Sequence, residues 1–162
     1  LFHEFGHALH SVLSSSKYHY LSGTRGEVDF VEVPSTLFEK FGLHPKIVGR
    51  YAKNIQTGEG LPKAVVQSWL EGERLFKALQ LQNQIALASS DQKIHHNFFH
   101  LGMEVSELFV GETEKHMLVP HHYGTSPQLR FQHLALYPAY YYSYIYAQCI
   151  SGKLWHDLFH DD

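Results

Sequence analysis

Two histidines four residues apart, His3 and His7, can share one small partner only if the chain between them is helical, and the surrounding residues are patterned for a helix. Phe2, Phe5, Leu9, Val12 and Leu13 recur at helical spacing and form one apolar stripe, while the two histidines fall on another face. The same period returns along the chain. A second helix is expected near Asp29 as N-cap, carrying Phe30, Leu37, Phe38 and Phe41, with Pro34 at its first turn or kinking it. Pro45 opens a third, with Ile47, Val48, Tyr51, Ala52 and Ile55 on one side and Thr57-Gly58-Glu59-Gly60 ending it. Pro62 opens a longer one that runs through Ala86. Met103 to His116, Gln128 to Leu134 and Tyr140 to Phe159 also read as helices, Tyr18 to Ser22 as an extended stretch, and Met117 to Pro127 as loop. Nothing alternates with period two over any length, so the expected fold class is all-α, with no internal repeat and no interdomain linker.

The 162 residues suit one modest domain or a piece of a larger one. The strongest motif lies two residues in, and Asp161-Asp162 follow an amphipathic run without a terminating signal, so the reading is a fragment of one catalytic domain, truncated at both ends. A net charge of −3 with scattered Lys and Arg gives no basic stripe for phosphate neutralisation, which argues against nucleic acid as a partner. Cys149 is alone and cannot form an internal disulfide. No apolar run approaches the roughly 20 residues that insert across a membrane.

The segment His3-Glu4-Phe5-Gly6-His7 is an HExxH motif. On a helix its two imidazoles sit one turn apart on one face, where they can bind one tetrahedral zinc ion. Glu4, one residue along, can act as general base on a water at the metal without itself being a ligand. A third ligand is required. The metzincin extension demands Gly and His at positions where His10 and Leu13 stand, so it fails. A glutamate from a second helix is the alternative, with Glu27, Glu32 and Glu39 as candidates. Asp29 and Glu32 are spaced to share a helical face, so Glu32 could bind zinc while Asp29 orients a ligand histidine, whereas Glu27 precedes the expected N-cap.

HEFGHALH from His3, GTRGEVDFVEVPS from Gly23 and QLRFQHLALYPAYYYSY from Gln128 together resemble the thimet oligopeptidase family of zinc metallopeptidases. The resemblance covers nearly the whole chain, including TGEGLP from Thr57 and Asp91-Gln92, and is closest to the branch of the family that works in the mitochondrial matrix. It implies a helical, gluzincin-type zincin holding one zinc ion per chain through His3, His7 and Glu32, the last being the glutamate of the DFxExPS segment. It implies further that His133, Tyr137, Tyr141 and Tyr144 contact the substrate and transition state, with Tyr144 and His133 polarising the scissile carbonyl and Tyr140 and Tyr142 packing. On the residues alone, any one of these tyrosines reads as aromatic core. The chain departs from the family where Leu136 and Pro138 replace a glycine-rich loop; Pro138 fixes one φ angle and removes a donor beside Tyr137.

Of the fourteen histidines, most read as surface or packing residues. His95, His96 and His100 are not expected to form a second metal site, His121 and His122 lie on a loop, and His10 is expected to pack or cap. The resemblance thus implies a metalloendopeptidase that removes short N-terminal peptides from imported mitochondrial precursor proteins. The alternatives are a cytoplasmic oligopeptidase acting on short peptides and a catalytically silent zinc-binding module. Intact Glu4 argues against the last, since a structural site has no use for a base. The upstream half of the family's catalytic cleft is absent from this chain and is expected to be needed to complete it.

Overall fold

Pro, Gly and Asx residues punctuate the sequence into short helices, and the computed structural model is all-α, with a lone antiparallel bridge between Lys53 and Gly60 among the described residues. It describes residues 1–102, 104–122 and 124–159, of which 97–101 by backbone alone. The helices are α1 (Phe2–Leu13), α2 (Val28–Leu43), α3 (Pro45–Tyr51), α4 (Lys63–Leu75), α5 (Lys77–Leu101), α6 (Val105–His116), α7 (His133–Leu136) and α8 (Tyr142–Leu158). No helix is long and apolar enough to cross a membrane among the described residues.

The chain divides into two compact units, one built from Leu1–Lys77 with the chain from Tyr146 onward, the other from Ala78–Ile145. In the first, Val33, Val48 and Ala147 are buried, and an aromatic cluster joins Phe38, Phe41, Trp155 and Phe159, with the Phe41 and Trp155 rings 4.9 Å apart in a T-shaped contact. In the second, Ile94, Leu108 and Phe109 form a core against which Leu87, Val105, Phe131 and Leu134 pack. Ala86, Ser90 and Ile94 lie one turn apart along α5, so one stripe of that helix faces inward.

Several expected boundaries move, each for a local reason. The N-cap of α2 is Glu27, whose carbonyl receives the Phe30 and Val31 N–H groups, and Asp29 falls in the first turn, where a carboxylate complements the helix dipole. Pro34 lies in the helix interior, beyond the first turn, removing one backbone donor there. Helix α3 ends at Tyr51, because the Asn54 carboxamide accepts the Gln56 and Thr57 N–H groups and folds the following residues into a turn that leaves Ile55 fully exposed. The long helix from Pro62 is two helices, separated at Phe76, whose φ of −100° and ψ of 2° leave the helical region. Tyr18 to Ser22 contains a 3₁₀ turn over His19–Leu21, and the helix expected over Gln128 to Leu134 is a 3₁₀ turn (Pro127–Arg130) followed by α7. Met103, from which a helix is expected, lies outside the described residues; the helix itself begins at Val105.

Candidate metal centre

The apolar stripe of α1 does not form its buried face. Phe5, Val12 and Leu13 are 53%, 78% and 75% exposed, and Gly6 alone among the residues of the helix is buried. His3, Gly6 and His7 share a face, and that face packs on α2. A Cβ at Gly6 would stand 2.5 Å from the Cα of Ser35 and 2.9 Å from the carbonyl oxygen of Pro34, so the two backbones meet at a distance only glycine permits. Farther along the same pair of helices, a Cβ at Gly42 would meet the Phe2 ring at 2.7 Å.

This close approach aims three side chains at one point. Glu32 Oε2 lies 3.3 Å from His3 Nε2 and 3.3 Å from His7 Nε2, and one ligand atom from each of the three residues lies within 4.8 Å of the others. Ligand atoms held about 2.0–2.1 Å from a tetrahedral zinc stand about 3.3–3.4 Å apart, so the donor set fits that ion. Two neighbours orient the donors. Ser35, fully buried, donates its hydroxyl to Glu32 Oε2 at 2.9 Å, and Glu39 Oε1 sits 2.7 Å from Nδ1 of His3, the nitrogen that points away from Glu32. Glu39 is therefore a partner of the far side of His3. Glu27 stands at the head of α2, outside this group. The ring of His10 packs on Phe30, 6.2 Å away and nearly perpendicular. Glu4, on the same turn of α1 as His3, is exposed.

The second unit gathers the aromatic residues singled out near the end of the chain. His133 begins α7, and its ring lies 5.3 Å from that of Tyr137, 4.9 Å from Tyr141 and 5.8 Å from Tyr144. Its Nδ1 is buried without a hydrogen-bond partner among the described residues, an uncompensated polar atom in an aromatic nest. Burial pushes the Tyr141 hydroxyl above its ordinary range, against an opposing hydrogen bond with Gln84, so it remains a protonated donor at neutral pH. Tyr137, Tyr140 and Tyr142 are more exposed than Tyr141 and Tyr144. His95 Nδ1 is engaged with Asp91, and among the described residues the His3, His7 and Glu32 group is the one cluster able to hold a metal; the side chain of His100 lies outside them.

Sequence reasoning passes over Ser35, Asp91 and Gln92 as working residues. The signal for Ser35 lies in the DFVEVPS segment, three residues beyond Glu32, the spacing at which a serine hydroxyl reaches a side chain on its own helix.

The chain is 38% identical over all its 162 residues to mitochondrial intermediate peptidases of Arabidopsis thaliana and Homo sapiens, and 39% identical over 160 residues to mitochondrial intermediate peptidase 1 of Cryptococcus neoformans. It spans less than a quarter of the length of these relatives, 23% of the first two and 21% of the third. Residues 1–162 match the description of Peptidase family M3 throughout, and the chain belongs to that family.

Proposed function

We propose that this chain is the metal-bearing part of a zinc metalloendopeptidase that removes short N-terminal peptides from precursor proteins in the mitochondrial matrix. The observation that carries the chemistry is the convergence of His3 Nε2, His7 Nε2 and Glu32 Oε2 at spacings suited to one tetrahedral ion. The names of its relatives carry the choice of substrate and compartment.

Zinc held by these three residues would supply Lewis acidity, acidifying a water and polarising the scissile carbonyl. Glu4 would take a proton from the attacking water as its oxygen bonds to the carbonyl carbon, and would deliver it to the departing amine as the C–N bond breaks. Glu39, bonded to Nδ1, fixes the ring orientation of His3, and Ser35 fixes the Glu32 carboxylate. His133 and Tyr144 are assigned to donate hydrogen bonds to the oxyanion, and Tyr137 and Tyr141 to hold the peptide. Family membership supports these roles, as does the protonated state of Tyr141. Further chain completes the cleft; the uncovered apolar stripe of α1 is consistent with this.

The test is to incubate the full-length protein with an imported precursor and with unrelated short peptides, and to read product N-termini by mass spectrometry. Release of one short N-terminal peptide from the precursor is expected. Cleavage confined to the short peptides would replace the processing role with that of a general oligopeptidase.

A further inference from the structure

The backbone between Tyr137 and Tyr141 holds Ala139 at a φ of 65°, the one non-glycine residue with positive φ among those described. Alanine adopts this left-handed conformation at a cost that glycine escapes, so neighbouring groups must hold it there. They come from α5. Asp91 is completely buried, and its Oδ1 accepts the Ala139 N–H at 3.1 Å while its Oδ2 accepts the Tyr141 N–H at 2.9 Å. Gln92, the next residue, donates Nε2 to the Ala139 carbonyl at 2.6 Å. His95, one turn on, places Nδ1 3.0 Å from Asp91 Oδ1 and 2.9 Å from the Asp91 carbonyl, which steadies the carboxylate from behind. Both peptide groups of Ala139 and the amide of Tyr141 are therefore gripped by two adjacent side chains.

The gripped segment connects Tyr137, on the far side of Pro138, to Tyr141 and the first turn of α8, where Tyr144 stands, and these three rings surround His133. We propose that Asp91 and Gln92 are positioning residues for peptide hydrolysis. They lock residues 137–141 so that His133, Tyr141 and Tyr144 form a preset group of donors before substrate arrives. The inference rests on the reading that these side chains contact substrate. Preset donors lower the barrier because no reorganisation remains at the moment of reaction.

The experiment compares kcat, KM and bound metal per chain in the full-length protein for Asp91→Asn, Gln92→Ala, Asp91→Asn with Ala139→Gly, and Tyr144→Phe as reference. Asp91→Asn replaces one acceptor with a donor facing an N–H, and kcat per bound metal is expected to fall up to about 100-fold with KM little changed. Gln92→Ala removes one hydrogen bond from an exposed side chain and should lower kcat about three- to tenfold in folded protein. Ala139→Gly should recover part of the Asp91→Asn loss, because glycine takes positive φ without the grip. If Asp91→Asn and Gln92→Ala only reduce the amount of folded protein and leave kcat per bound metal at the wild-type value, while Tyr144→Phe lowers it, the positioning role is wrong and the tyrosine reading stands. Wild-type kcat in Tyr144→Phe would overturn both.

Discussion

The α1–α2 pair and the His133–Tyr144 segment both gather polar side chains, but they do so by opposite means. In the first, two regular helices meet at Gly6, and the helical period carries His3, His7 and Glu32 to one point. In the second, irregular backbone with a left-handed alanine is held by side chains 47 to 50 residues away in sequence. A metal site needs ligand atoms fixed to a fraction of an ångström, which rigid helices provide. A group of donors for a peptide can sit on a loop, provided that something clamps it.

The contrast breaks most sharply at Gly6. Gly6→Ala drives a methyl into the backbone of α2, which cannot yield as a side chain can, so a loss of about 3 kcal/mol or more and of metal binding together is expected in thermal unfolding with metal analysis. Gly42→Ala meets the root of the Phe2 side chain rather than backbone and should cost about 2 kcal/mol with the metal retained. Equal losses at the two glycines would mean that close approach at Gly6 does not set the ligand geometry. A smaller effect is expected at Glu39. Glu39→Gln weakens the support of His3 Nδ1 and should lower zinc affinity about 10- to 100-fold in chelator competition, without unfolding the pair.

The smallest expected effect lies in the second unit and depends on pH. Burial alone would raise the Glu112 carboxyl, but hydrogen bonds from Lys115, Lys93 and Ser89 outweigh it and bring it from 4.5 down to about 2. Ser89 and Lys93 lie on α5 and Lys115 on α6, so the carboxylate ties these helices together. A carboxylate depressed by folding stabilises above its unfolded value and loses that contribution as pH falls. The α5–α6 packing should therefore weaken progressively from about pH 4.5 towards pH 2, followed by near-ultraviolet circular dichroism. Glu112→Gln should flatten that limb; an unchanged acid limb would assign it to other carboxylates.

The same contrast governs what could be read from the residues. Spacing of four and the need for a base made His3, Glu4 and His7 visible, and the helical period gave the all-α class. Spacing left Glu32 among three candidates. Resemblance chose it as the glutamate of the DFxExPS segment; in the structure Glu32 faces Nε2 of His3 and Glu39 meets Nδ1. The stripe of Phe5, Val12 and Leu13 misled because periodicity marks an apolar face without saying what covers it, and here the face bearing Gly6 packs instead. Ala52 to Ile55 continued a helical pattern, but Asn54 offered the backbone a competing turn. Asp91 entered only as part of the resemblance and its role carried no signal in spacing, since its partners lie far along the chain and are backbone amides, which any sequence possesses.

The central claim is that Glu32 completes a zinc site and Glu4 serves as its base. Zinc per chain and hydrolysis of a quenched peptide should be measured together on the full-length protein and on its Glu4→Gln and Glu32→Gln variants. The account predicts about one zinc in the wild type, zinc retained with activity lost in Glu4→Gln, and zinc lost in Glu32→Gln. Full zinc occupancy in Glu32→Gln, or wild-type activity in Glu4→Gln, would contradict it.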